Sequence, residues 1–379
     1  MNPQKANSPL AQFIYWCLTA LATFTLLALT SPTRATARDI VIAQSLDLSG
    51  QSNLGKDFSN GIRTYIDAIN SRGGVRGRKI SLLQLDDSGD PQQTVANLQR
   101  LVKENDVDVL IGPTTAKSFL AAAASDTLRT SGLTMLGAPT GARANGAGSV
   151  RALAIRASYT DEARQLLNHI ATMQIRKVAL VRGDGEEADF AAAAFREEAK
   201  KRGVALEFDG DTSTWQKRTA ANAAIEAVVI AGDAVGVSPA LAHTKQTARN
   251  ANLFGFSTID HRTLLELVKQ SAIGMVISQA MPSADKNVFP FQREHRDLMK
   301  RYRDEPPSLH TLEGYVVARV LVVALETITG EPTPASVTAA LRTARDLDLG
   351  PLNVSTRVPE NAMRFVNLSA VSRKGALIE

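Results

Sequence analysis

Cysteine is nearly absent: the chain of 379 residues has a single one, Cys17. From Arg38 onward disulfides, thiolate catalysis and cysteine-held metal are therefore excluded. Large rings are scarce as well, with aromatic residues at 5% against 44% hydrophobic residues in all, so the cores must be built mainly from aliphatic side chains. A surplus of one charge is also missing. Lys and Arg number 43 against 38 Asp and Glu, a net charge of +5, and the two signs are interleaved along the chain. No basic stripe exists that would track a phosphate backbone, which argues against nucleic acid as a partner. Neither a G-x-S-x-G elbow nor an H-E-x-x-H pair occurs. His169, His243, His261, His295 and His310 are scattered without metal-ligand spacing. No catalytic centre, metal or cofactor is expected.

The first 37 residues are of a different make. Met1 to Ala37 contains Lys5 and Arg34 as its only charged residues, Leu10 to Leu29 is largely apolar, and Ala35-Thr36-Ala37 gives a small-x-small pattern. This reads as a secretory signal peptide over 1–37, cleaved after Ala37. The competing reading is a retained anchor, because about twenty apolar residues span a bilayer. Cys17 follows Ile14-Tyr15-Trp16, which is not the Leu-small-small run that precedes a lipidated cysteine. Export without disulfides points to the periplasm.

From Arg38 the sequence alternates short apolar runs with amphipathic stretches. Ile40 to Ala43 is a short apolar run suited to a buried parallel strand, Ile80 to Leu85 reads as a second strand and Val107 to Ile111 as another apolar one. Ile62, Tyr65, Ile66 and Ile69 mark one face of a helix over Asn60 to Asn70, ended by Gly73-Gly74. Asp90-Pro91-Gln92-Gln93 predicts a helix start with Asp90 as cap and Gln93 completing a capping box. The pattern repeats with strands at Lys177 to Val181, Val204 to Phe208, Ala227 to Ala231, Leu253 to Phe256 and Met275 to Ser278, and a helix from Phe190 to Arg202. Two such series predict an α/β fold of two doubly wound parallel-sheet lobes. Ligands in such sheets bind beyond the carboxyl ends of the strands, here the loops after Ala43, Ile111, Leu136, Val181, Ala231 and Phe256.

Several stretches then carry a resemblance. They are SNGIRTYIDAINSRGGVRGRKI (59–80), LDDSGDPQQTVAN (85–97), LIGPTT (110–115), APTGA (138–142), RASYTDE (156–162) and EGYVVARVLVVAL (313–325). In this order the chain resembles the periplasmic leucine/isoleucine/valine-type binding proteins, the type I solute-binding components of ABC importers. The resemblance implies a three-crossover hinge near Ala157, Pro282 and Leu352. Lobe I would hold 38–157 and 282–351, and lobe II 158–281, with 352–379 crossing back to it. It also implies a monomer that delivers a small-molecule ligand to a permease in the inner membrane.

The site expectations combine both kinds of reading. Gly112-Pro113-Thr114-Thr115-Ala116 opens a helix after a strand, so free N–H groups at Ala116 and the hydroxyls of Thr114 and Thr115 would suit a ligand carboxylate. Thr115 as a simple helix cap explains the same residue equally well. Thr140 and Gly141 resemble the family's second carboxylate-side loop, and Leu54 falls where the family packs a bulky side chain over the ligand. Tyr159 would face the cleft or pack the hinge. The second lobe departs from the pattern: Ser257 aligns where leucine-type proteins carry an acid for the ligand's ammonium. No tyrosine follows Val181. Glu187 or Asp233 would have to substitute for the acid, or else be surface charges. These departures point to a ligand with a polar second half: an amino acid, an amide or a small carboxylate.

Two rival readings are weaker. Gly50 to Lys56 matches GxxxxGK, but Asp57 follows where a phosphate loop needs Ser or Thr for Mg²⁺. Asp86 and Asp87 are adjacent on a strand and so point to opposite faces, which argues against paired acid–base work. A ligand-sensing receptor module acting on a membrane partner is the alternative that remains.

Overall fold

The computed structural model describes residues 38–378 apart from 51–52, 146–149, 220–221, 223, 345–346, 348 and 353–364. The expected leader over 1–37, with Cys17, lies outside the described residues.

The chain opens with β1 (Ile40–Leu46), α1 (Leu54–Ser71), β2 (Ile80–Asp86), α2 (Pro91–Glu104), β3 (Val109–Ile111), α3 (Ala116–Ala124), α4 (Asp126–Thr130), β4 (Met135–Leu136) and β5 (Ala152–Leu153). These strands make one parallel sheet ordered β2-β1-β3-β4-β5. The second series is α5 (Tyr159–Thr172), β6 (Val178–Arg182), α6 (Glu186–Lys201), β7 (Leu206–Asp211), α7 (Thr212–Lys217), β8 (Ala227–Ala231), α8 (Ala234–Thr247), β9 (Asn252–Gly255), α9 (His261–Val268) and β10 (Val276–Gln279). Helices α10 (Pro290–Tyr302), α11 (Leu309–Glu326) and α12 (Pro334–Thr343) follow, and the chain closes with β11 (Asn367–Val371) and β12 (Leu377–Ile378). The second sheet runs β12-β11-β10-β9-β8-β6-β7, parallel except where β11 pairs with β10 and β12.

Each sheet is covered on both faces, which is why its central strands are buried along their length and not alternating. The five residues of β8, AVVIA, are all buried. Helices α1, α11 and α12 fill one face of the first sheet around Phe58, Tyr315 and Leu321, and α2 and α3 fill the other around Leu98 and Phe119. In the second lobe, Trp215, Leu241 and Leu264 pack on one face and Leu166, Phe195 and Phe256 on the other. Helix α11 is apolar all round because it runs through the first lobe's core. It meets α1 where Gly61 and Gly314 face each other's backbone: a Cβ on Gly61 would lie 2.0 Å from the Thr311 carbonyl oxygen. No bulkier residue fits that crossing.

Local expectations and structure part in a few places. Asp90 caps α2 by accepting from the Gln93 N–H at 2.7 Å, but the capping box does not form. The Gln93 side chain donates forward to Asn97 Oδ1 instead. Helix α6 begins at Glu186, ahead of the expected Phe190, because Gly185 turns the chain at φ 99°. The acids Glu186, Glu187 and Asp189 then occupy its first turn, where the helix dipole favours them. The antiparallel β11–β12 edge was not foreseen; such short pieces carry little periodicity.

The phosphate-loop match is tied up structurally. The Asp57 carboxylate accepts from Ser308 Oγ at 2.7 Å, and a Cβ on Gly55 would lie 1.7 Å from the Asp47 carbonyl oxygen. Asp86 and Asp87 do diverge: Asp86 is exposed, while buried Asp87 accepts from Ser45 and Thr94.

Candidate functional site

The carboxyl ends of β3, β4 and β6 bring together the residues that matter. Helix α3 starts two residues after Gly112-Pro113, so its first N–H groups have no partner within the helix. The Ala116 N–H donates to Glu187 Oε1 at 2.8 Å and the Lys117 N–H to Glu186 Oε1 at 3.0 Å. Both acids stand on the first turn of α6, in the opposite lobe. The other Glu187 oxygen accepts from Thr140 Oγ1 at 3.1 Å and from the Tyr159 hydroxyl in a very short contact. One carboxylate thus receives a helix N–H and two hydroxyls. Burial, the largest influence, pushes the Glu187 pKa above the ordinary carboxylate value, and the hydrogen bonds from Tyr159, Thr140 and Ala116 offset part of the rise. Burial and the Glu187 charge likewise raise the Tyr159 hydroxyl.

Gly141 shapes this group. Its carbonyl accepts from the Tyr159 N–H at 3.1 Å, and a Cβ there would lie 2.6 Å from the Tyr159 ring. The ring packs edge-on against Phe256 at 6.2 Å between centroids. Tyr159 therefore packs the hinge and presents its hydroxyl to the cleft at once.

A second cluster lies at the pivot. Arg156, on the segment between β5 and α5, is buried; its guanidinium donates to Glu313 at 3.1 Å, to Glu162 at 3.2 Å, to Ser257 Oγ at 2.5 Å and to the Pro139 carbonyl. Glu162 also accepts from the Ser257 N–H and Oγ, both at 2.9 Å, and from Ser278 Oγ at 2.6 Å. Glu313 accepts from or pairs with His310 Nδ1 at 2.9 Å. Burial alone would lower the Arg156 pKa, but Glu313 and Glu162 together hold it above the ordinary value. Burial would raise Glu313, and Arg156 and His310 overcome it and pull its pKa below the usual range. Arg143 sits alongside, lowered to about 10 by burial and by the Arg156 charge.

The expected site residues divide accordingly. Ala116, Thr140 and Tyr159 converge on the Glu187 carboxylate, with Gly141 packed against the Tyr159 ring. Ser257 is buried and committed to Glu162 and Arg156. Thr115 caps α3, accepting from the Ser118 N–H at 3.4 Å. Thr114 is buried, its hydroxyl accepting from the Asp47 N–H at 3.3 Å inside the first lobe. Leu54 is the first residue of α1 and half-buried. Asp233 is exposed and caps α8 through the Gly236 N–H at 2.7 Å. Glu186, Arg156, Glu162, Ser278 and Glu313 were not singled out from the sequence. One signal was available for Glu313: an acid in a helix apolar on every side must find a buried partner.

The crevice between Ser257, Gln279 and Ser308 holds about 50 Å³. A wider open depression of about 380 Å³ lies wholly on the second lobe, where Arg182 pairs with Asp189 and Arg196 with Asp209. Asp211, also in its lining, caps α7 by accepting from the Thr214 N–H at 2.8 Å. Among the described residues no group of three or more His, Cys, Asp or Glu is placed to hold a metal, and no helix is long and apolar enough to cross a membrane.

The sequence pattern of the family described as periplasmic binding protein matches residues 39–373. A Leu/Ile/Val-binding protein, BraC3, of Rhizobium johnstonii is 34% identical over 99 residues, covering 26% of each chain. A Leu/Ile/Val-binding protein homolog of Brucella melitensis is 26% identical over 169 residues, 44% of this chain and 45% of that one. The matches thus span less than half the length of these relatives. The crystal structure of a possible leucine/isoleucine/valine-binding protein from Rhodopirellula baltica superposes with a TM-score of 0.77, covering 92% of this chain and 98% of that one at 23% identity. At that identity the likeness is one of fold: two lobes of the type I periplasmic binding kind.

Proposed function

The chain belongs to the periplasmic binding protein family, and we propose that it captures a small carboxylate-bearing solute between its lobes and delivers it to an ABC importer, without catalysis. The solute is an amino acid, an amide-bearing acid or another small carboxylate. Lobe I comprises 38–157 and 282–351, and lobe II 158–281 and 352–379. A leader over 1–37 sends the protein to the periplasm, where it works as a monomer without cofactor. The permease in the inner membrane is its macromolecular partner.

One observation carries this reading. The Ala116 N–H, the Thr140 hydroxyl and the Tyr159 hydroxyl point at a single carboxylate at the boundary between lobes. A helix N-terminus with adjacent hydroxyls is a ready anion cradle. A solute bridging both lobes favours the shut arrangement through its differential contacts, and the hinge needs no chemistry to use it.

A thermal-shift screen of amino acids, amides and small carboxylates tests the reading. A true solute at a hundredfold excess over Kd stabilises by about 2.7 kcal/mol. Hits are expected among carboxylates, including the branched-chain amino acids suggested by the names of the relatives. Stabilisation only by compounds without a carboxylate, or by none of the panel, would count against it.

A further inference from the structure

The group that fills the anion cradle is the protein's own. Glu187 stands on α6 of the second lobe, while Ala116 and Thr140 belong to the first, so its bonds at 2.8 and 3.1 Å cross the boundary between lobes. Glu186 reinforces the crossing through the Lys117 N–H at 3.0 Å and the Lys117 ammonium at 3.7 Å. Phe190, one turn further along α6, packs against the apolar clusters of both lobes.

We infer that Glu187 is a resident stand-in for the solute's carboxylate: it draws the lobes together without solute, and a carboxylate solute enters only by expelling it. This rests on the reading of the cradle as the carboxylate subsite proposed above. Its physical basis is substitution of like for like. The same N–H and hydroxyl donors serve either carboxylate, so exchange costs no unpaired donor. Glu187 thereby helps decide which solutes bind, because a solute must offer more than a carboxylate to displace one already in place. Apparent affinity falls by the fraction of molecules in which the cradle is free.

Substitution Glu187→Ala removes one methylene carbon and the carboxyl group, the same heavy atoms as acetate. Solution scattering on the exported protein without solute should give a compact wild type and a Glu187→Ala variant of larger radius of gyration. Saturating acetate should restore compactness to the variant and leave wild type unchanged. Calorimetric titration should find acetate bound about tenfold or more tightly by the variant than by wild type. Glu187→Gln, which keeps the side chain's shape, should have an intermediate radius and guards against a folding defect in the alanine variant. Equal radii for wild type and both variants, or equal acetate affinity in wild type and Glu187→Ala, overturns the inference. No transported solute is used, so a failed solute screen would sink the proposed function while leaving these outcomes to be read independently.

Discussion

Two buried carboxylate clusters lie at the boundary between the lobes, and they are built on opposite principles. At the pivot, Arg156 is held between Glu162 and Glu313, charge against charge, with Ser257 and Ser278 completing the shell. At the mouth, the single charge of Glu187 is met by an N–H and two hydroxyls, all neutral. Removing Arg156 from the first leaves two carboxylates without their guanidinium partner in the interior. The donors of the second are those that, in the proposal above, an incoming carboxylate would take over from Glu187.

Replacing the guanidinium should break the comparison most visibly. Arg156→Met keeps length and packing but strands Glu162 and Glu313 in the core, and should cost about 3–5 kcal/mol in urea unfolding. Glu187→Gln should cost far less by the same measurement. If the two variants lose similar stability, the pivot is no more fixed than the mouth, and the distinction fails.

A smaller effect sharpens it. Gly141→Ala puts a methyl 2.6 Å from the Tyr159 ring, and crowding of that kind costs roughly 1–3 kcal/mol. The displaced ring carries its hydroxyl away from Glu187 while Arg156 is untouched. The variant should therefore have a larger solute-free radius of gyration with its secondary structure intact by circular dichroism. An unchanged radius would mean that Tyr159 does not hold the mouth.

The fold was legible because its signals are local. Apolar runs such as AVVIA mark buried parallel strands, and Asp90-Pro91 marks a helix start; neither depends on distant parts of the chain. The anion cradle was half legible. Ala116 follows from the strand–helix junction and Thr140 from the resemblance, but what fills the cradle is decided by how two lobes meet, which no local pattern encodes. Asp233 shows the limit from the other side: an acid before a helix reads equally as ligand contact or cap, and here it is a cap. The pivot cluster was missed because Arg156, Glu162 and Glu313 are brought together by the crossover, 157 positions separating the outer pair.

The smallest expected effect is with pH, and the two clusters should respond with opposite signs. Burial raises the Glu187 pKa above its ordinary 4.5. The shut mouth therefore binds a proton more tightly than the open one. Its advantage is complete below about 4.5 and is lost as pH rises through the raised value. Glu313 behaves in reverse, since Arg156 and His310 hold its pKa below 4.5 against the effect of burial. Its contribution is present above that value and is lost as pH falls through the depressed one. Acidification from neutral pH through the raised Glu187 value should thus favour the shut mouth before the pivot is disturbed. Scattering across this range should show a radius that shrinks on acidification in wild type and stays flat in Glu187→Gln. A wild-type radius that grows instead would mean that Glu187 is held as an ion-stabilising contact, and that mouth and pivot titrate alike.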